Sequence, residues 1–102
     1  MTRDEQKEHF DLFTDKMSNT LLKKGNDYAN SDALSNFYLA GSIAGVSAEI
    51  NCLSLIATKV ARLGVLLQKS AEPNNESIRD TVLDLANYAV LLDAILTDKV
   101  NG

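Results

Sequence analysis

Residues that break helices are scarce in this chain of 102 residues. It holds one proline, Pro73, and five glycines, so only three or four long elements fit between stops. There is no tryptophan, and Phe and Tyr number three each. The single cysteine, Cys52, excludes an intrachain disulfide framework. It sits among apolar residues and reads as a small buried filler. The single histidine, His9, has no second histidine or cysteine near it, which leaves no zinc spacing. Nor is there an excess of positive charge. Ten Lys and Arg stand against fourteen Asp and Glu, for a net charge of −4 and a pI near 4.8. That balance argues against duplex nucleic acid or an anionic membrane as partner, because both select a basic surface. A small phosphorylated ligand needs only a local cluster of cations and is not excluded. The most apolar stretches are interrupted by Lys59, Arg62 and Asp84, so no segment is expected to span a membrane. Met1 to Asp11 is densely charged, unlike a signal peptide, and the expected location is the cytoplasm.

What is present is helical periodicity. The chain is 45% hydrophobic and 24% charged, the balance of one globular domain over residues 1–102. Thr2 and Glu5 form a capping-box pattern that opens a first helix over about residues 3–24. Phe10, Phe13, Met17 and Leu21 recur along it at steps of three and four. Lys23 and Lys24 suit its negative end, and Gly25 its C-cap. Residues 25–31 are turn formers around Tyr28. A short helix is expected over about 32–40, and Gly41 and Gly45 bracket a second break. Ser47 caps a long helix reaching about Lys69, with Leu53, Ile56, Val60, Leu63 and Leu67 in heptad spacing. Glu72 to Asn75 is a turn. A last helix runs from about Asn75 to Asp98, with Ile78, Val82, Leu85, Ala89, Leu92 and Leu96 as its seam. No strand pattern appears. The expected architecture is an all-α helical bundle built on a long antiparallel helix hairpin. A domain this short has a limited core, so helices with two apolar faces are expected to be completed in a homo-oligomer.

Two stripes look chemical. At about 100° per residue, Glu76, Asp80, Asp84 and Asn87 share an arc of about 80° on the last helix. Leu83, Val90, Leu91 and Ile95 flank them, and a polar stripe between apolar flanks is usually half-buried and needs partners. The preceding helix offers Lys59 and Arg62 between Leu55 and Leu66. These groups are either interhelical ion pairs that fix register, or the lining of a pocket in which the cations hold phosphate. A two-metal hydrolase wants carboxylates converging from more than one element. Here the long helix places cations in its middle instead. Lys24, Asp27 and Tyr28, around Gly25, form the other candidate: a lysine and an aromatic at a helix end can hold a phosphate and stack a base. The plain alternative is an ordinary helix cap with Tyr28 on the core. Asn36 and Tyr38 follow closely and suit either picture. No P-loop and no nucleophile–base pair appears.

Three segments, in order, carry a resemblance: Lys24-Gly25-Asn26-Asp27-Tyr28, then Ile56 to Leu63, then Glu76-Ser77-Ile78-Arg79-Asp80-Thr81-Val82-Leu83-Asp84-Leu85-Ala86-Asn87-Tyr88-Ala89. Over about residues 20–92 the chain resembles a small helical phage family named for association with nucleotide modification. The resemblance implies an all-α, phage-encoded, nucleotide-linked protein acting in the cytoplasm of an infected bacterial host. The layout is also similar to the MazG-like pyrophosphohydrolases, which cleave nucleoside triphosphates with Mg²⁺. Under that likeness Glu76, Asp80 and Asp84 would hold the metal. Here Glu76 and Asp80 are four apart rather than three, and Lys59 and Arg62 stand where paired acids belong. The leading expectation is therefore a nucleotide-like small molecule bound without catalysis and without a cofactor. By analogy of size and ligand class, this matches phage anti-defence sponges for cyclic nucleotides or ADP-ribose derivatives. In that reading Lys24, Lys59 and Arg62 contact phosphate, Tyr28 or Tyr88 stacks a base, and Asp80, Asp84 and Asn87 orient the cations and read polar edges.

Overall fold

The computed structural model describes the backbone of residues 1–26, 34–69 and 76–101, with side chains for 1–22, 34–69 and 76–99. Among the described residues there are four α-helices and no strand: α1 (Arg3–Asn26), α2 (Ser35–Ala44), α3 (Ala48–Lys69) and α4 (Glu76–Asn101). The chain is all-helical, as its periodicity predicts. Its contacts divide it into two units, Met1–Ser31 and Asp32–Gly102.

The first unit carries α1. Thr2 caps it: the Glu5 amide donates to Thr2 Oγ1 at 3.1 Å, and the Thr2 hydroxyl donates to Glu5 Oε1 at 3.0 Å. These bonds satisfy donors that a helix start leaves free. Lys7 and Asp11 pair at 2.8 Å one turn apart, and His9 stacks on Phe13 with ring centroids 6.3 Å apart. Of the predicted apolar stripe, Phe13, Met17 and Leu21 are half-buried, whereas Phe10 is exposed. The helix runs on through Gly25 to Asn26, so Gly25 is not its cap.

In the second unit the breaks are set by caps. The Gly45 and Val46 amides donate to the Ser42 and Gly41 carbonyls at 3.2 and 2.8 Å, a Schellman ending for α2. It requires Gly45 at φ 77°, in the left-handed region where side chains are strained. Gly41 is no break. It lies inside α2, and a Cβ there would meet the Val46 carbonyl oxygen at 2.9 Å. Ser47 then caps α3 as predicted, accepting from the Ile50 amide at 3.2 Å.

The core is small: Ala48, Cys52 and Ile95 are buried, with Leu34, Phe37, Ile56, Leu91 and Leu92 packed against them. It joins α2, the first half of α3 and the second half of α4. Contacts between α3 and α4 pair Glu49 with Lys99, Cys52 with Tyr88, and Lys59 with Asp84. Positions ascend along α3 as they descend along α4, so the two helices run antiparallel.

The helices are turned differently from the heptads predicted above. On α3, Ile56 and Leu63 are half-buried, but Leu53, Val60 and Leu67 are 50–59% exposed. On α4, Ile78 is buried and Leu85 and Leu92 are half-buried, while Val82, Ala89 and Leu96 are exposed. The buried row of α4 runs instead through Thr81, Asp84, Tyr88, Leu91 and Ile95. Heptad spacing finds rows of apolar residues but does not say which row meets the neighbour when a helix has two. For the same reason α3 has the length and mean hydropathy, 1.6 over 18 residues, of a membrane-crossing helix despite Lys59 and Arg62. Only 6% of that window is buried within the chain.

Glycine in a helix interior costs about 1 kcal/mol relative to alanine. Gly64 sits there with open space around the position a Cβ would take. We predict that Gly64→Ala raises stability in dilute solution by about 0.5–1 kcal/mol, whereas Gly41→Ala lowers it by about 1–3 kcal/mol through overpacking. Urea denaturation at low protein concentration reads both signs.

Candidate functional site

Beyond the core, the α3–α4 contact turns polar. Lys59 Nζ lies 3.1 Å from Asp84 Oδ2, each side chain about one quarter exposed. One turn further along α4, Asn87 is 6% exposed, and its Oδ1 is buried with no hydrogen-bond partner. A buried amide carbonyl normally finds a donor, and leaving it without one costs about 1–3 kcal/mol. Thr81, the other buried polar residue, solves the problem locally: its hydroxyl donates to the Ser77 carbonyl at 2.6 Å. Asn87 has no such local solution, and its buried carbonyl is left without a donor.

The structure thus brings Lys59 and Asp84 together and places Asn87 beside Asp84. Arg62, Asp80 and Glu76 are exposed. At about 100° per residue, Asp80 and Arg62 share the sides of α4 and α3 that carry Asp84 and Lys59. Tyr88 is half-buried, and its carbonyl accepts from the Cys52 thiol at 3.5 Å. Asn36 is exposed on α2. Asp27 and Tyr28 lie outside the described residues, as does the Lys24 side chain. Among the described residues no group of three or more His, Cys, Asp or Glu could hold a metal ion, so Glu76, Asp80 and Asp84 are not gathered into such a set. A shallow depression of about 300 Å³ on α1 is lined by Asp4, Lys7, Glu8, Asp11, Leu12 and Asp15. It belongs to one helix face, and its four carboxylates disfavour a phosphate.

Two ties at the far end of the pair escape a reading of the sequence. Lys99 on α4 pairs with Glu49 on α3, and the Tyr38 hydroxyl on α2 donates to Asp98 Oδ2 at 2.9 Å. Each joins residues fifty or more apart, and only the antiparallel sense of the helices brings them together. The Lys99 ammonium, with the Ser47 hydroxyl, holds the Glu49 carboxyl down to about 2 from its ordinary 4.5. Burial pushes the Cys52 thiol up, which keeps it protonated and unreactive.

Comparison with family models, curated proteins and solved structures finds no match to this chain.

Two outcomes follow. A carboxylate depressed in the folded state stabilises above its unfolded value, and that stability is lost as the pH falls through the folded one. The urea midpoint of the wild type should therefore drop between about pH 4.5 and 2, and Glu49→Gln should flatten the profile in that window. Cys52 should resist iodoacetamide in the native state and react at the rate of a free thiol once urea unfolds the chain. Native labelling at the unfolded rate would refute the core described above.

Proposed function

We propose that this chain binds a nucleotide-derived phosphate ligand without chemistry. The site is the α3–α4 face that carries Lys59, Arg62, Asp80, Asp84 and Asn87, on a helical hairpin completed by oligomerisation. The observation that supports the reading is the Asn87 carbonyl. It is buried beside the Lys59–Asp84 pair and has no donor of its own. A base N–H or a sugar hydroxyl supplies the missing hydrogen. In this reading Arg62, exposed on the same side of α3 as Lys59, takes the phosphate through its fork, with Lys59 adding charge. Asp84 holds Lys59 in place, and Asp80 reads hydroxyls. Tyr88 stacks the base.

The resemblance to the phage family linked to nucleotide modification supports the same ligand class. The biological role proposed is sequestration: a phage sponge that lowers the free concentration of a cyclic-nucleotide or ADP-ribose-type immune signal in the host cytoplasm. The MazG-like alternative, Mg²⁺-dependent pyrophosphate release at Glu76, Asp80 and Asp84, has no gathered carboxylate set behind it among the described residues. A purely structural reading is favoured by one observation, the Lys59–Asp84 pair, which by itself fixes the register of α3 on α4.

A thermal-shift panel of nucleotides, cyclic dinucleotides and ADP-ribose derivatives separates these readings, because a ligand that binds only the native state raises the melting temperature. We expect one class to raise it and Arg62→Ala to weaken that binding at least tenfold without unfolding the chain. Asn87→Leu should abolish binding yet stabilise the fold by about 1 kcal/mol, since it removes a carbonyl that lacks a donor. No shift from any compound, together with a destabilising Asn87→Leu, leaves the structural reading.

A further inference from the structure

The outward face of α3 has a pattern that its contacts inside the chain do not explain. Ile50, Leu53, Ala57, Val60, Gly64 and Leu67 follow steps of three and four over nearly five turns, and all six are exposed. The row is about 26 Å long at 1.5 Å per residue. It lies about 100° around the helix from the row that meets α4. None of the six is charged, and the neighbours along one edge, Ser54 and Ala61, are small and exposed. The charges of α3 are confined to Glu49, Lys59, Arg62 and Lys69.

Large and small side chains alternate in a specific order. Ile50, Ala57 and Gly64 occupy one set of heptad positions, and Leu53, Val60 and Leu67 the other. The positions are symmetric about a point between Thr58 and Lys59, and in the inner pairs a large residue mirrors a small one. If a second α3 is laid antiparallel on that point, Leu53 faces Gly64, Val60 faces Ala57, and Ile50 faces Leu67 at the ends. Each inner layer then holds one large and one small residue. Parallel pairing would instead set Gly64 on Gly64 and Ala57 on Ala57, leaving voids that close-packed interfaces avoid. The antiparallel sense also suits the helix dipoles.

Gly64 is the second, independent observation. It weakens the helix, its backbone is helical, and a Cβ there would meet nothing within the chain. Among the described residues no contact calls for glycine, whereas a partner's leucine packed against the helix backbone does.

We propose that α3 pairs antiparallel with α3 of a second copy of this chain, centred between Thr58 and Lys59, with Gly64 of each copy receiving Leu53 of the other. This deepens the oligomerisation in the functional reading and names its seam. A lipid surface fits the same helix less well: insertion would carry Lys59 and Arg62 to mid-membrane depth, where charge is costly. The Lys59–Asp84 pair would also draw acidic α4 in after it. One helix wide, the seam falls near the small end of specific interfaces, about 1,200 Å² in total, so the dimer should dissociate on dilution.

Sedimentation velocity on the full chain from about 1 to 300 µM should show monomer passing to dimer. Gly64→Leu improves helix propensity and so preserves the circular dichroism spectrum, but it sets Leu against Leu and should weaken association at least tenfold. Under mild oxidation Leu53→Cys/Gly64→Cys should give a covalent dimer. Wild type, with Cys52 buried, and Leu53→Cys alone should not, since antiparallel pairing places the two copies of position 53 about 16 Å apart along the axis. A wild type that stays monomeric at 300 µM overturns the proposal. So does association unchanged in Gly64→Leu, or cross-linking by Leu53→Cys alone. Co-sedimentation of the wild type with phosphatidylcholine–phosphatidylglycerol vesicles, lost in Gly64→Leu, overturns it in favour of a membrane. Ligand binding lost in Arg62→Ala with the dimer intact, or a monomer that still binds, shows which of the two proposals has failed.

Discussion

The structure depends on how α3 is rotated about its own axis. A helix with two apolar rows can offer only one to a single neighbour. Here the row given to α4 is the impure one, Ala48, Cys52, Ile56, Lys59 and Leu63, rather than the uncharged one from Ile50 to Leu67. Lys59 accounts for the choice. A lysine that pairs with Asp84 while about three quarters covered cannot also face open water, and turning α3 by one row would separate the two charges. Breaking such a pair costs more than forming it gains. The pair therefore works mainly as a constraint on register and rotation.

That constraint divides the second unit lengthwise. Toward α2, packing is apolar and closed: Cys52 and Ile95 are fully covered, and Tyr38–Asp98 and Glu49–Lys99 tie the ends. Away from α2, packing is polar and incomplete, with a carbonyl on Asn87 that nothing in the chain satisfies. A closed end gives the helices a fixed frame, and the incomplete stretch beside it is where the proposed ligand would add its hydrogen bonds.

The same rotation leaves α3 with two working faces. The proposed ligand face, Lys59 and Arg62, and the proposed dimer seam lie on nearly opposite sides of α3. Ile56 and Leu63 stand between them, half-buried. Ligand binding and association then share a helix but not a side chain, so each can be altered separately. The small core belongs to the same account: Leu53, Val60 and Leu67 stay half exposed, and the proposed pairing would cover them.

Much of this was legible from residue order. Thr2 with Glu5, Ser47 and Gly45 act on their own or the adjoining turn, and local hydrogen bonding is encoded locally. The all-helical class followed from steps of three and four with few breakers, and Lys59 and Asp84 were recognisable as polar groups set among leucines. What residue order did not decide is which row of each helix faces inward. Spacing gives the rows but not the rotation that one ion pair imposes across two helices. It also left hidden Gly41, whose reason is a carbonyl arriving from the next turn of chain. Glu49–Lys99 and Tyr38–Asp98 stayed out of sight because their partners are distant in sequence and meet only once the helices lie antiparallel. Local chemistry fixes where helices begin and end; the competition between two apolar rows for one neighbour is settled only when the neighbour, with its charge, is in place.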